Sequence, residues 1–159
     1  MGGPRIIPFK PEHLTQIRVR INTGSVTDYL AVGRMYETMG PAFSGELDGQ
    51  ILGSAGIAIL WKGVGEAWVW VPDEVVRHPL FFHRSIKTMM AEVKRAKRLV
   101  RIQTTVQVRD VTANSWIKRL GFTAEGVMRR FSADGEDAIR YAIVEPREAQ
   151  EAPWGGSGA

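Results

Sequence analysis

The sequence predicts a layered α/β (α+β) domain built on a mixed sheet with flanking helices. Three observations predict it. Asp48-Gly49 and Asp134-Gly135 each sit between apolar runs, the strongest short signal for a β-hairpin. Arg101 to Val108 alternates cleanly: Ile102, Thr104, Val106 and Val108 face one way, and Arg101, Gln103, Thr105, Gln107 and Arg109 the other. Helical periods interleave with such strands in the order β, α, α, β, β, β, α, β, α, β, β, and elements in that order bury their apolar faces by layering helices on a sheet.

Arg5 to Phe9 reads as an edge strand, because Pro8 removes a ladder donor. Lys10 to Ile17 predicts one or two helical turns with Pro11 at the first position. A helix over Ser25 to Met39 follows from two rows, Val26, Leu30 and Gly33 in one, Tyr29, Val32 and Tyr36 in the other. Gly40-Pro41 stops it. Ala42 to Leu47 and Gln50 to Leu60 form the first hairpin, with Gly53 and Gly56 marking a bulge in its second strand. Gly65 to Val71 is a strand that puts Trp68 and Trp70 on one face and Ala67, Val69 and Val71 on the other.

After a loop, Pro79 to Lys97 is a helix, with Ile86, Met90 and Val93 along one row and Lys94, Arg95, Lys97 and Arg98 at its end, where they complement the dipole. Gly65–Val71 and Arg101–Val108 are expected as parallel neighbours, since a connection of this length is what a parallel pair requires. Residues 1–144 form one domain, and 145–159, which has no periodicity and ends Gly-Gly-Ser-Gly-Ala, is expected to be a flexible tail.

Composition narrows the chemistry. At 159 residues, 44% hydrophobic and 24% charged, the chain can bury a core without staples. It has no cysteine, hence no disulfide, no thiolate zinc site and no cysteine nucleophile. Its three histidines, His13, His78 and His83, form no His-x-x-x-His pair, so no metal site is expected. No Gly-x-Ser-x-Gly elbow or P-loop occurs. The net charge of +4 suits either an anionic partner or simple solubility, and no recognisable nucleic-acid module accompanies it. No apolar run is long enough to span a membrane and no secretory signal opens the chain, so a cytoplasmic location is expected.

The stretch from Asp110 to Tyr141 carries the most information. Ala113, Trp116, Ile117 and Leu120 fall on one helical face, Asp110 can cap its start and Gly121 can end it. A strand from Thr123 to Phe131, a turn at Ala133 to Glu136 and a strand from Asp137 to Val144 follow. A helix ending in Leu-Gly-Phe, then Glu-Gly, then a hairpin with Asp-Gly at its tip and a Tyr in its second strand resembles the C-terminal end of the GNAT superfamily of N-acetyltransferases. The order of elements over roughly residues 5–144 resembles that fold too. The resemblance implies a mostly antiparallel sheet with a parallel central pair, and acetyl-CoA as cosubstrate.

It also implies a site. In that family a loop of the form Arg/Gln-x-x-Gly-x-Gly/Ala leads into the long helix and holds the cofactor pyrophosphate on backbone N–H groups. The matching residues here are Arg77-His78-Pro79-Leu80-Phe81-Phe82: Arg77 fits, but Leu80 and Phe82 stand in place of glycines. Arg84 adds charge beside them. The family's Asn-x-x-Ala-x-x-x-Tyr-x-x-x-Gly-Phe reads Asp110, Ala113, Ile117, Gly121 and Phe122, so the general-acid Tyr is replaced by Ile117. Asn114 is a substitute cofactor contact. Trp70 and Val71 are the implied backbone site for the thioester and pantetheine, and Glu66, Asp73 and His78 are candidate bases.

The Gly-Glu-Ala-Trp strand, the Arg-His-Pro loop and the Trp-x-x-x-Leu-Gly-Phe helix together resemble small phage-encoded acetyltransferase-like proteins found near internal virion proteins of short-tailed phages. Two functions are therefore open. One is acetyl transfer to a small-molecule or protein amine. The other is a catalytically degenerate member acting in phage virion assembly or host interaction, located in host cytoplasm or virion.

Overall fold

The computed structural model describes residues 2–17, 28–72 and 78–147. Seven strands make one sheet in the order β1-β2-β3-β4-β5-β7-β6. They are β1 (Arg5–Pro8), β2 (Ala42–Leu47), β3 (Gln50–Trp61), β4 (Val64–Trp70), β5 (Arg101–Gln107), β6 (Thr123–Met128) and β7 (Ala138–Val144). Every neighbouring pair is antiparallel except β4 and β5. That pair is joined by α2 (Pro79–Ala96), the crossover that the connection length predicts. The mixed, mostly antiparallel sheet with one parallel central pair is the expected fold class.

The two sheet faces are covered unequally. On one, α2 and α3 (Val111–Arg119) pack over Ala55, Ile57, Ile102 and Tyr141, with Ile86, Met90, Val93, Ile117 and Leu120 as the helix side of the core. On the other, α1 (Tyr29–Met39) and a 3-10 helix (Pro11–Gln16) pack over Ala58, Trp68 and Trp70. The Trp68/Trp70 and Ala67/Val69 faces are thus divided as the two-residue period requires.

Local chemistry sets the boundaries. Asp28 and Asp110 cap α1 and α3 by accepting from the N–H groups of Ala31 and Ala113, at 2.9 and 3.0 Å. Gly121, at φ +100°, ends α3 in the left-handed conformation. Asp48 and Gly49 both have positive φ, +49° and +82°, as a tight hairpin turn demands.

Several expectations are corrected. The one or two turns expected over Lys10–Ile17 are present and take the 3-10 form, Pro11–Gln16. The helix expected from Ser25 begins, among described residues, at Tyr29 behind its Asp28 cap. β6 ends at Met128 rather than Phe131, because Arg130 turns to φ +54° and the Asp137 carboxylate takes its N–H at 2.9 Å. The bulge expected in the second strand falls beside Gly53 and not at Gly56: Gly45 pairs with Gly53 and Glu46 with Ile51, which leaves Leu52 as the extra residue of β3. The two glycines also let aromatic rings sit on the sheet. A Cβ on Gly53 would meet Phe82 at 2.9 Å, and one on Gly56 would meet the Trp68 ring at 2.8 Å. Glu145 is still part of the fold: its N–H donates to Val100 O at 2.8 Å and its carboxylate pairs with Lys94. The rest of the expected tail beyond Arg147 lies outside the described residues.

Candidate functional site

The parallel pair comes apart almost as soon as it forms. β4 and β5 are in register at Val64↔Arg101, Gly65↔Ile102 and Glu66↔Gln103, and there the pairing stops. The Thr104 hydroxyl, donating to Ala67 O at 2.9 Å, is the next tie. Beyond it β4 stays paired with β3 through Trp70, and β5 stays paired with β7 through Gln107. The upper halves of the two strands therefore flank a gap. A cavity of about 1050 Å³ occupies it, walled by β4, β5, the first turns of α2 and the inner side of α3.

The α2 end of the cavity follows from two packing contacts. A Cβ on Gly45 would meet the Phe81 ring at 3.0 Å, as one on Gly53 would meet Phe82. The two rings lie edge to face at 5.7 Å over these paired glycines, and they fix the start of α2 on β2 and β3. His78 is the N-cap residue and Pro79 follows; among the described residues no side chain accepts from the first-turn N–H groups. The residues replacing the family's glycines therefore do different things. Leu80 points to solvent, 68% exposed at the cavity mouth, while Phe82 is buried.

On the α1 side, Tyr36 stacks on Trp68 with ring centroids 4.1 Å apart, and Tyr29 meets Trp70 edge-on at 5.4 Å. All four line the cavity. Burial pushes the Tyr36 phenol up from its ordinary range; a hydrogen bond to Trp70 opposes this and the Glu66 carboxylate reinforces it. Tyr36 thus keeps its proton at neutral pH.

The candidate residues separate into groups. Glu66, Trp70, Val71 and Phe82 line the one cavity. The Glu66 carboxylate is engaged: it accepts from Arg140 Nη1 at 3.0 and 2.9 Å and from Gln103 Nε2 at 2.7 Å. His78 sits at the helix start and Arg84 is exposed on α2, neither on the cavity wall. Asn114 is spent on structure. Its Nδ2 donates to the carbonyls of Gln107 and Asp110, both at 2.8 Å, and its Oδ1 accepts from the Tyr141 hydroxyl at 2.7 Å, so it pins the β5–α3 junction to β7. Asp73 and Arg77 lie outside the described residues.

Tyr29, Tyr36, Thr105 and Gln107 stand outside the sequence-predicted site, yet they line the cavity, as does His83 beside the start of α2. The signals were present: Tyr29 and Tyr36 share a helical row, and Thr105 and Gln107 share the polar face of β5. Among the described residues, no three His, Cys, Asp or Glu side chains cluster as a metal site would require, and no helix is long and apolar enough to cross a membrane.

The arrangement has close counterparts among solved structures. A GNAT-family acetyltransferase from Streptococcus pneumoniae superposes with a TM-score of 0.71 at 16% identity, covering 91% of this chain and 100% of that one. The fold is that of the GNAT acetyltransferases. Ard1 from Thermoplasma volcanium gives a TM-score of 0.74 at 16% identity, covering 90% and 98%. YncA from Salmonella typhimurium, solved with its cofactor acetyl-CoA, gives 0.73 at 13% identity, covering 94% and 98%. No protein-family model and no curated protein sequence matches the chain. In this GNAT fold, the splayed β4–β5 pair and the start of α2 open onto the same cavity.

Proposed function

We propose that the protein transfers an acetyl group from acetyl-CoA to an amine. One observation carries this reading: pairing of β4 and β5 stops at Glu66↔Gln103, leaving an open cavity that ends at a helix start whose first-turn N–H groups no side chain among the described residues accepts. Acetyl-CoA would supply an activated acyl carbon. The residues present fit it. The backbone of Trp70 and Val71, at the end of β4, can hold the thioester carbonyl, as oriented donors do for a developing oxyanion. The start of α2 favours an anion through its dipole.

In the transfer the amine nitrogen would take the acetyl carbon as the C–S bond breaks, and the proton given up by the amine would be balanced by one delivered to the CoA thiolate. Ile117 cannot give that proton. Of the candidate bases among the described residues, Glu66 is the one on the cavity wall. Calorimetric titration of acetyl-CoA tests the reading. Binding is expected, weakened by about 1.5–3 kcal/mol in Arg77→Ala, which loses a charged hydrogen-bond partner, and weakened by salt. Absence of binding at millimolar acetyl-CoA defeats it.

The second reading is a catalytically degenerate GNAT-fold protein, phage-encoded and acting in virion assembly or host interaction. Leu80 and Phe82 in place of glycines, and Ile117 in place of the Tyr, favour it. The same titration separates the two.

A further inference from the structure

Gln107 is 9% exposed, and its Nε2 makes no hydrogen bond among the described residues; the Thr105 hydroxyl, two residues earlier on the same face of β5, makes none either. Both line the cavity. A buried donor without an acceptor is costly, and native structures keep such a group where something else satisfies it. The amide's orientation is fixed. Gln107 Oε1 accepts from Arg109 Nε at 3.0 Å, so the NH2 group is the end left for the cavity. Arg109 is itself held from the β6–β7 turn, its Nη2 donating to Asp134 Oδ2 at 2.8 Å.

The position of Gln107 matters as much as its chemistry. Continuing the register of Glu66↔Gln103 along the two parallel strands puts Thr105 level with Trp68 and Gln107 level with Trp70. The free amide donor thus faces the end of β4, across the gap from the backbone proposed to hold the thioester. The charges on the neighbouring strands are matched, Glu66 with Arg140, Arg101 with Glu125 and Arg109 with Asp134. An NH2 group beside a hydroxyl, with its neighbouring charges neutralised, fits a neutral oxygen acceptor.

We propose that Gln107, with Thr105, reads a neutral carbonyl oxygen beside the acceptor amine, so that the acceptor is a peptide N-terminus rather than a polyamine or a free amino acid. This rests on the acetyl-transfer reading. Arg109, anchored by Asp134, is a positioning residue that keeps the Gln107 NH2 turned toward the cavity. A polyamine offers no carbonyl, and the cavity's Glu66 is taken by Arg140. A free amino acid brings a carboxylate, and Arg140, opposite Thr105 on β7, and Arg109 are both already paired.

The test uses three probes: an alanyl tripeptide amide, spermidine and L-alanine. CoA release is followed with acetyl-CoA saturating, and tripeptide binding is measured by calorimetry with and without acetyl-CoA. The tripeptide is expected to exceed both other probes in kcat/KM by about tenfold or more, the scale of one buried hydrogen bond. Gln107→Leu and Gln107→Glu are each expected to raise the tripeptide KM about tenfold while acetyl-CoA affinity is unchanged. Gln107→Glu keeps the shape and the Arg109 contact but replaces the donor by an acceptor, so it still decides the matter if the Leu variant does not fold. Arg109→Ala should raise the tripeptide KM and spare kcat, with recovery in Arg109→Lys; an equal fall in kcat would remove its positioning role.

Equal use of the three probes, preference for spermidine, or an unchanged tripeptide KM in Gln107→Glu overturns the proposal. The direct titration separates its failure from that of the underlying reading. A protein that ignores acetyl-CoA but binds the tripeptide through Gln107 keeps this subsite and loses acetyl transfer. One that binds acetyl-CoA but not the tripeptide does the reverse.

Discussion

The face of the sheet that carries α1 is two different surfaces. Over β2, β3 and β4 it is covered and aromatic: Trp68 lies on Gly56, Tyr36 stacks on Trp68, and Phe9 meets that indole edge-on at 5.4 Å. Over β5, β7 and β6 the described structure shows side chains tied to one another instead. Arg101 donates to Gln103, Gln103 to Glu66, and Arg140 to Glu66. The same two-residue alternation generates both halves. What differs is residue size on the strand beneath: Ser54, Gly56 and Ala58 leave room for indoles and a helix, whereas Gln103, Thr105, Gln107 and Arg140 fill their own space with polar groups. The cavity lies at the seam between them. A cleft there has one apolar wall that can exclude water and one polar wall that can orient a ligand, the usual composition of a ligand site.

The covered half should be the more fragile to truncation. Trp68 is 7% exposed and is touched by Phe9 and Tyr36. Trp68→Ala should cost about 3–5 kcal/mol, the range for removing a buried aromatic, measured by urea unfolding. A loss near 1 kcal/mol would mean that α1 collapses into the void, and that this half is no more tightly packed than the other.

The fold was legible because its signals are local and redundant. The Asp-Gly turns, the β5 alternation and the α3 caps are each set by neighbours in sequence. The site was legible only where it coincides with such signals. Trp70 and Val71, implied by the family resemblance, lie on the cavity wall. Gln107 did not stand out, because what singles it out is a negative fact in three dimensions, an amide whose Nε2 meets no acceptor among the described residues. Asn114 misled for the opposite reason: a polar residue beside a signature looks like a ligand contact, and three partners that are distant or off-register in sequence, Gln107, Asp110 and Tyr141, use up its amide. Arg109 and Asp134, 25 residues apart, meet only because β6 and β7 fold back.

A titration sharpens the comparison from within the covered half. His13 is buried with its Nδ1 accepting from Lys10 N–H at 3.1 Å and lying 2.7 Å from the Ser44 hydroxyl, itself 2.7 Å from that of Ser54. Because Nδ1 accepts from Lys10, it carries no proton, and Ser44 donates to it. Burial lowers the His13 pKa below the ordinary 6.5, the Lys10 charge adds to this, and Glu12 and Glu46 oppose it. The folded state therefore binds a proton less readily than the unfolded chain. Its contribution is fully present above 6.5 and is lost as pH falls from there through the lower folded value. Tm should fall across that acid window in the wild type and stay flatter in His13→Asn, which keeps an acceptor and cannot titrate. Parallel profiles would show that His13 does not carry the dependence.

The smallest effect belongs to the polar half. A bulge between Ala124 and Gly126 makes Glu125 the extra residue of β6, which frees its carboxylate to reach Arg101. Arg101 Nη1 donates to Glu125 Oε2 at 2.9 Å, and Nη2 reaches the other oxygen. That bond, with the Arg101 charge, holds the Glu125 carboxyl below the ordinary range, and the more distant Arg140 acts in the same sense, against slight burial. Yet the Glu125 side chain is 40% exposed, so water and salt already screen what the pair gains. Glu125→Gln should therefore cost only about 0.2–1 kcal/mol, and the difference should shrink as ionic strength rises. It is several times less than the loss expected at Trp68, although Arg101 is the link from Glu125 through Gln103 to Glu66. A loss of about 2 kcal/mol or more, persisting in high salt, lies outside what an exposed pair supplies. It would mean that the side chains from Glu125 to Arg140 act as one unit. The polar half would then owe its order to a cooperative polar network, as the covered half owes its own to packed rings.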